Sequence, residues 1–411
     1  MRRRILLFLL AVALLPACKN NATNNSEALK ALHEYLANSP EQLAELRTEI
    51  SKETADSAMH TIHAYLAEKT KAKFQSQWDS MALQLNDKVL RFKYKKFGDK
   101  PAKGWSLFIS MHGGGGAAPE LNDQQWENQI NLYTPKEGIY LAPRAPTNTW
   151  NMWHQAHIDS LFSQLIELVD VYEGINTNRV YLTGYSAGGD GTYQLAPRMA
   201  DQLAAAAMMA GHPNDASPLG LRNLPFALHM GAEDGAYHRN EIAANWKIML
   251  DSLQQQDPDG YIHDVQLHEG MGHWMQHKDT VAIDWMTQFS RNPYPQKVVW
   301  KQSGVTHNRF YWLAVPANEA MKKAEVIASI SGQTITIEKA TLIPSLIVLL
   351  NDEMLDLNKK VKVIYQGKEI YHAVPTRNIA TIWQSLSERN DTNQVFSAKI
   401  TINLEQTIKH D

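Results

Sequence analysis

Four groups of residues in this chain could together perform acyl transfer. Ser186 stands in Gly184-Tyr185-Ser186-Ala187-Gly188-Gly189, with a glycine two positions to either side. A serine hydroxyl is a weak nucleophile until a neighbouring base takes its proton and a third group orients that base. His273, in Gly270-Met271-Gly272-His273, has the right type for the base, and Asp234, in Gly231-Ala232-Glu233-Asp234, for the orienting carboxylate. The fourth group is His112-Gly113-Gly114-Gly115-Gly116. Glycines there let backbone N–H groups approach a substrate carbonyl, and such donors stabilise a tetrahedral oxyanion by about 3–4 kcal/mol each. One donor is expected from Gly113 or Gly114 and the other from the amide of Ala187. In this scheme Ser186 attacks, His273 shuttles the proton, and Asp234 fixes the imidazole tautomer and stabilises the imidazolium.

Each group needs an element to hold it in place. Val180-Tyr181-Leu182-Thr183 reads as an apolar strand entering the serine turn, and Thr192 to Met199 as the helix that leaves it. A strand that turns sharply into a helix has no room for Cβ atoms beside the turn, which explains the paired glycines. The helix N-terminus also faces developing negative charge. Trp105 to Met111 reads as a buried strand ending at His112, Pro225 to Met230 as a strand ending at the Asp234 loop, and Val265 to Leu267 as a strand ending near His273. Glu233 competes with Asp234, and His268 and His277 with His273. Adjacent loop residues cannot both face the histidine, His268 lies closer to the strand, and His277 lies at a helix start. Asp190 belongs to the helix after the serine.

These motifs resemble those of bacterial α/β hydrolases of the esterase, dienelactone-hydrolase-like and polyhydroxyalkanoate-depolymerase-like groups. The resemblance runs from His112 through His273, about half of the chain. It rests on His112-Gly113-Gly114-Gly115, Gly184-Tyr185-Ser186-Ala187-Gly188-Gly189, Gly231 with Asp234, and Gly272-His273. The order serine, acid, histidine is that of the hydrolase fold. The resemblance implies an α/β-hydrolase fold and a serine hydrolase of carboxylic esters. It says little about which ester. Dienelactone hydrolases proper use a cysteine where Ser186 stands, so their chemistry is not implied.

Around this centre the chain falls into five segments. Residues 1–17 read as an export leader: Arg2-Arg3-Arg4 precede the apolar run Ile5 to Leu15, which is too short for a stable membrane span. Leu15-Pro16-Ala17-Cys18 resembles a bacterial lipobox, which implies lipidation of Cys18 and a chain anchored to the cell-envelope membrane. Cys18 is the single cysteine, so no intrachain disulfide forms and no other thiol can be a nucleophile. Residues 18–25 read as a polar tether. Residues 26–87 form a segment read as helical from Ser26 to Leu85, with apolar residues at Leu29, Leu32, Leu36, Leu43, Leu46, Ile50, Ile62 and Leu66.

Residues 88–292 are expected to be the catalytic domain. Val89 to Phe97 reads as a strand pair, Gly138 to Arg144 as a strand, Ile158 to Tyr172 as a helix and Ala204 to Gly211 as a strand. Strands alternating with helices predict a mostly parallel sheet covered on both faces. Ligands then bind beyond the carboxyl ends of its strands. Trp150, Trp153 and His154, on the loop after Arg144, and His212, after the next strand, are candidate substrate-binding residues. Residues 293–411 follow Pro293 and Pro295 and read as a small β-sandwich-like domain with a helix at Ile379 to Leu386, serving either to bind polymer or to buttress the body. Phe310 to Val315 reads there as one strand. The net charge of −3 and the absence of basic runs argue against nucleic acid as a partner. No metal-ligand pattern stands out and no cofactor is expected. The sequence therefore points to an exported, lipid-anchored serine esterase acting on a small or polymeric ester. Two other readings stay open: an exopeptidase on the same fold, and an inactive surface-binding lipoprotein.

Overall fold

The computed structural model describes residues 17–405. Of the expected leader, residues 1–17, all but Ala17 lie outside the described residues. The first element is helix α1 (Ala17–Asn38), followed by a short 3-10 segment (Pro40–Glu45) and the long helix α2 (Lys52–Asp79). The stretch expected as an open tether is therefore the beginning of α1. Asn25 in α1 accepts the backbone N–H of Ser51, the N-cap of α2, at 2.9 Å, which ties the two helices together. No described helix is long and apolar enough to cross a membrane.

The helical reading fails at its far end. Residues 82–85 form strand β1 (Ala82–Leu85), which turns through Asn86 (φ +54°) into β2 (Lys88–Phe97). The two pair antiparallel from Leu85 opposite Lys88 to Ala82 opposite Arg91. A two-residue turn led by a positive-φ asparagine is a hairpin signal, and it outweighs the helical spacing of the preceding leucines. Val89 to Phe97 is accordingly one long strand and not a strand pair.

Then come β3 (Trp105–Met111), α3 (Pro119–Gln129), β4 (Gly138–Arg144), α4 (Ala156–Glu173), β5 (Ile175–Tyr185), α5 (Ala187–Arg198), β6 (Ala205–Met209), β7 (Phe226–Gly231), α6 (Arg239–Gln256), β8 (His263–His268) and α7 (Val281–Met286). Eight strands form one sheet in the order β1-β2-β4-β3-β5-β6-β7-β8. The pairs β1·β2 and β2·β4 are antiparallel; the pairs from β4 through β8 are parallel. β3, β4, β6 and β7 are buried at every residue, as a sheet covered by helices on both faces requires. α4 turns Ile158, Leu161, Phe162, Leu165, Leu168 and Val169 to that core and ends at Gly174, whose φ of +68° makes the left-handed cap. This strand order, with serine, acid and histidine loops at the carboxyl ends of β5, β7 and β8, is the α/β-hydrolase fold.

The remainder is β-rich: β9 (Lys297–Lys301), β10 (Arg309–Phe310), β11 (Leu313–Ala314), β12 (Glu325–Ser331), β13 (Thr334–Thr341), β14 (Ser345–Leu350), β15 (Val361–Tyr365), β16 (Lys368–Ala373), α8 (Ile379–Glu388) and β17 (Ala398–Asn403). A four-stranded sheet, β10-β11-β14-β17, and a five-stranded sheet, β16-β15-β13-β12-β9, make up this sandwich-like part. The expected single strand from Phe310 to Val315 is broken into β10 and β11 at Tyr311, whose φ is +53°. Its ring is buried and its hydroxyl donates to the Ala200 carbonyl at 2.9 Å, so a contact with the hydrolase body interrupts the strand.

A second apolar cluster joins the two ends of the chain. Leu32, Leu43, Ile50, Ala58 and Ile62 pack with Ile379, Ile382, Leu386 and Val395. The N-terminal helices therefore rest on α8, and Trp78 of α2 stacks on Tyr172 of α4 with ring centres 4.7 Å apart.

Candidate active site

Ser186 sits at the turn between β5 and α5 with φ +56° and ψ −118°, a conformation a non-glycine residue adopts only where its surroundings enforce it. The enforcement is visible. The Ser186 N–H donates to the Met209 carbonyl at 2.9 Å, and the Ser186 carbonyl accepts the Asp190 N–H at 2.9 Å. A Cβ on Gly184 would lie 2.2 Å from the Gly188 carbonyl oxygen, and one on Gly188 would lie 2.1 Å from that of Met111. Both glycines are thus demanded by the closeness of β3, β5 and α5.

His273 Nε2 lies 2.9 Å from Ser186 Oγ, and His273 Nδ1 lies 2.7 Å from Asp234 Oδ2. The three residues come from loops 39 and 87 positions from His273, brought together by β5, β7 and β8. Asp234 is buried, and Arg239 stands 3.8 Å from its second oxygen. Asn240 locks the acid loop by donating from its side chain to the Ala232 carbonyl and from its backbone to the Asp234 carbonyl. The histidine loop is locked by a residue that motif reading does not single out. The Tyr185 hydroxyl donates to the His273 carbonyl at 2.8 Å and accepts the Met275 N–H at 3.0 Å. Nothing in the local sequence marks Tyr185 for this role.

The glycine loop is set by three side chains. His112 is fully buried, and burial pushes its imidazole down to about 3, so it stays neutral. The Ala145 N–H donates to its Nε2 at 3.1 Å, so the proton is on Nδ1, which donates to the Gly113 carbonyl at 2.6 Å. In a trans peptide the C=O and N–H point in opposite directions. The imidazole therefore turns the Gly114 N–H away from itself. Trp153 acts in the same way one peptide earlier. Its indole N–H donates to the His112 carbonyl at 2.9 Å, which directs the Gly113 N–H away from the indole. Asn122 accepts the Gly115 N–H at 2.8 Å and so withdraws that amide from any ligand. A Cβ on Gly113 would lie 3.2 Å from the Ser186 Cβ, which puts this peptide against the serine. Among the described residues the N–H groups of Gly113, Gly114 and Ala187 donate to no protein acceptor.

The other expected site residues divide. Trp150 is exposed and lies against Gly115 and Gly116. Trp153 is fully buried, so its assignment to a substrate pocket is corrected: its indole N–H holds the His112 carbonyl at the start of the glycine loop. His154 sits edge-on to Trp150 at 5.5 Å, and burial holds its imidazole down to about 4. His212 is pinned by its neighbours: its N–H donates to Asp190 Oδ1 at 2.6 Å and its Nδ1 accepts the Asn214 N–H at 2.9 Å. Asp190, pushed up to about 6 by burial, is occupied by that bond. The competing histidines are placed elsewhere. His268 Nε2 pairs with His229 Nδ1 at 3.0 Å, and His277 lies edge-on to Trp274. No group of three His, Cys, Asp or Glu side chains among the described residues is arranged to hold a metal ion.

No protein-family model matches the chain. A stretch of 112 residues, 26% of this chain, is 34% identical to a bifunctional acetylxylan esterase/xylanase of Neocallimastix patriciarum and spans 16% of that protein. Among solved structures, a thermostable esterase superposes with a TM-score of 0.41 at 18% identity, over 51% of this chain and 62% of its own. A feruloyl esterase module from Clostridium thermocellum gives a TM-score of 0.34 at 14% identity, over 51% of this chain and 91% of the module. A dipeptidyl aminopeptidase IV from Bacteroides ovatus gives 0.37 at 13% identity, over 51% of this chain and 34% of that one.

Proposed function

We propose that this protein hydrolyses carboxylic esters through an acyl-enzyme on Ser186. The observation that carries this reading is the bridge His273 makes between Ser186 at 2.9 Å and Asp234 at 2.7 Å, with the Gly113 peptide packed against the serine. The local likeness to a protein named an acetylxylan esterase is in keeping with ester chemistry.

In this reading the Ser186 hydroxyl attacks the ester carbonyl carbon while His273 Nε2 takes its proton. The carbonyl oxygen becomes an oxyanion held by the Ala187 N–H and by the N–H of Gly113 or Gly114. Collapse breaks the bond to the alcohol oxygen, and His273 returns the proton to that leaving group. Water then attacks the acyl-Ser186 carbonyl carbon with His273 as base, the bond to Ser186 Oγ breaks as His273 returns the proton to that oxygen, and the carboxylic acid leaves. Asp234 keeps Nδ1 protonated throughout, so that Nε2 faces the serine as an acceptor.

The test uses the full chain with a fluorophosphonate probe, nitrophenyl esters of short and medium acyl length, and an aminoacyl amide panel. Labelling at Ser186 with ester turnover, both lost in Ser186→Ala, is expected. Turnover of amides without esters would replace this reading with an exopeptidase. An unlabelled, folded protein without turnover would leave a binding protein.

The same proposal places the protein outside the cytoplasm, anchored to a membrane by lipid on Cys18. Radiolabelled palmitate should enter the native chain and not Cys18→Ser; equal labelling of both would reject the anchor.

A further inference from the structure

Three large aromatic side chains are exposed among the described residues: Trp150 at 62%, Tyr237 at 74% and Trp274 at 49%. Tyr237 and Trp274 lie on the loops that carry Asp234 and His273, and Trp150 lies on the loop after β4, beside the glycine loop. Trp150 borders the glycine loop, with its Cβ 3.7 Å from where a Cβ on Gly116 would stand. Trp274 follows His273 directly and packs its ring 5.6 Å from that of Tyr185, the residue before the serine. Tyr237 follows Asp234 by three positions, held at φ +55° with the Arg239 guanidinium 4.8 Å over its ring. Exposed indoles and phenols cost solubility, and chains rarely gather them without use.

The setting decides what they would bind. Exposed Glu233 and His238 flank Tyr237 along its loop, and exposed Gln276 and His277 follow Trp274. A wholly apolar chain would call for a continuous apolar surface. Isolated flat rings among polar groups suit a ligand whose units have apolar faces and hydrogen-bonding edges, as sugar rings do. The rim mixes Glu233 and Glu241 with Arg239 and carries no run of cations, so it has no preference for a polyanion. A cavity of about 480 Å3 exists elsewhere, between α4 and the loops at 305–307 and 387–391, and no residue of the site lines it.

We propose that Trp150 and Trp274, with Tyr237 beside them, are specificity-determining residues that stack an uncharged saccharide chain across the site, so that the substrate is an acyl ester carried on an oligo- or polysaccharide. This deepens the Ser186 reading and rests on it.

The experiment compares the full-length protein with Trp150→Ala, Trp274→Ala and the stacking-competent Trp150→Phe and Trp274→Phe. Substrates are acetylated oligosaccharides of glucose and of xylose, and 4-nitrophenyl acetate. A stacked ring contributes about tenfold in affinity. For at least one sugar series the ratio of kcat/KM on the oligosaccharide to that on 4-nitrophenyl acetate should fall about tenfold in each alanine variant, mainly through KM, and return in the phenylalanine variants. Binding of the same oligosaccharides to Ser186→Ala, followed by tryptophan emission, reads the platform without turnover. Ratios that do not move, or a loss that phenylalanine does not restore, would overturn the proposal. Saccharide binding to Ser186→Ala with no turnover of any ester by the parent protein would instead overturn the Ser186 reading and leave the platform standing.

Discussion

At the scale of single residues, the site depends on side chains that never touch substrate. Trp153 has one polar atom, and that atom holds the His112 carbonyl at 2.9 Å. Without it the peptide between His112 and Gly113 is free to rotate, and the Gly113 N–H can leave the orientation that the proposed mechanism uses. Removing a whole oxyanion donor costs about 100- to 1,000-fold in rate, and loosening one should cost less. Trp153→Phe is therefore expected to lower kcat by about tenfold with KM changed by less than about twofold. Steady-state kinetics on a nitrophenyl ester checks this, with fluorophosphonate labelling of Ser186 persisting at a lower rate. An unchanged kcat would mean that His112 and Asn122 suffice to hold the loop.

At the scale of elements, α4 carries a liability in its last turn. Asp170 is partly buried, and that burial, reinforced by the charges of Asp391 and Glu167, pushes its carboxyl up to about 7. It also stands near a helix C-terminus, where a negative charge is unfavourable. A carboxyl whose folded value lies above its unfolded value of 3.8 binds its proton more tightly in the native state. Its ionisation therefore removes stability as the pH climbs from about 4 to about 7, and the full cost is present above that. Asp170→Asn keeps an acceptor for the Ile175 N–H and abolishes the charge. It should raise stability by about 1–3 kcal/mol at pH 8, and the gain should vanish near pH 4. Denaturant titrations at the two pH values check the sign. A gain of the same size at both would assign it to something other than ionisation.

At the scale of the whole molecule, the β-rich C-terminal part grips the far end of α5. The Asp201 carboxylate, fully buried just beyond α5, pairs with Arg389 and accepts the Tyr311 N–H. Arg291 donates to the Asp201 carbonyl at 3.0 Å and pairs with Asp391 at 2.6 Å. Asp159 of α4 is held on one side by Arg198 at 2.6 Å and on the other by His307 at 2.8 Å. Breaking one side of such a buried pair strands a charge, at a cost of about 3–5 kcal/mol. Arg389→Ala is expected to lose about that much in equilibrium denaturation, and a chain ending at Asn292 should fail to fold. A loss under about 0.5 kcal/mol, or a stable truncated body, would make residues 293–411 a separable module.

What was legible in the sequence was local. Close backbone approach and a left-handed serine require glycine at fixed offsets, so Gly184, Gly188 and the run from Gly113 announced themselves. Buried parallel strands require unbroken apolar runs, so the strands leading to Ser186 and Asp234 could be placed, and chain order then linked them to His273. Hairpin chemistry at Asn86-Asp87 was present in the sequence but lost beneath a helical leucine spacing. Only the tertiary structure decided the rest. It placed Trp153 against the glycine loop rather than in a pocket, and used Tyr185 to clamp the histidine loop 88 positions away. It also laid the first helices against α8 near the other end of the chain. The reason is that a side chain's type records which bonds it can make, whereas its partner is chosen by packing between segments far apart in sequence, where neither spacing nor composition carries a trace of the contact.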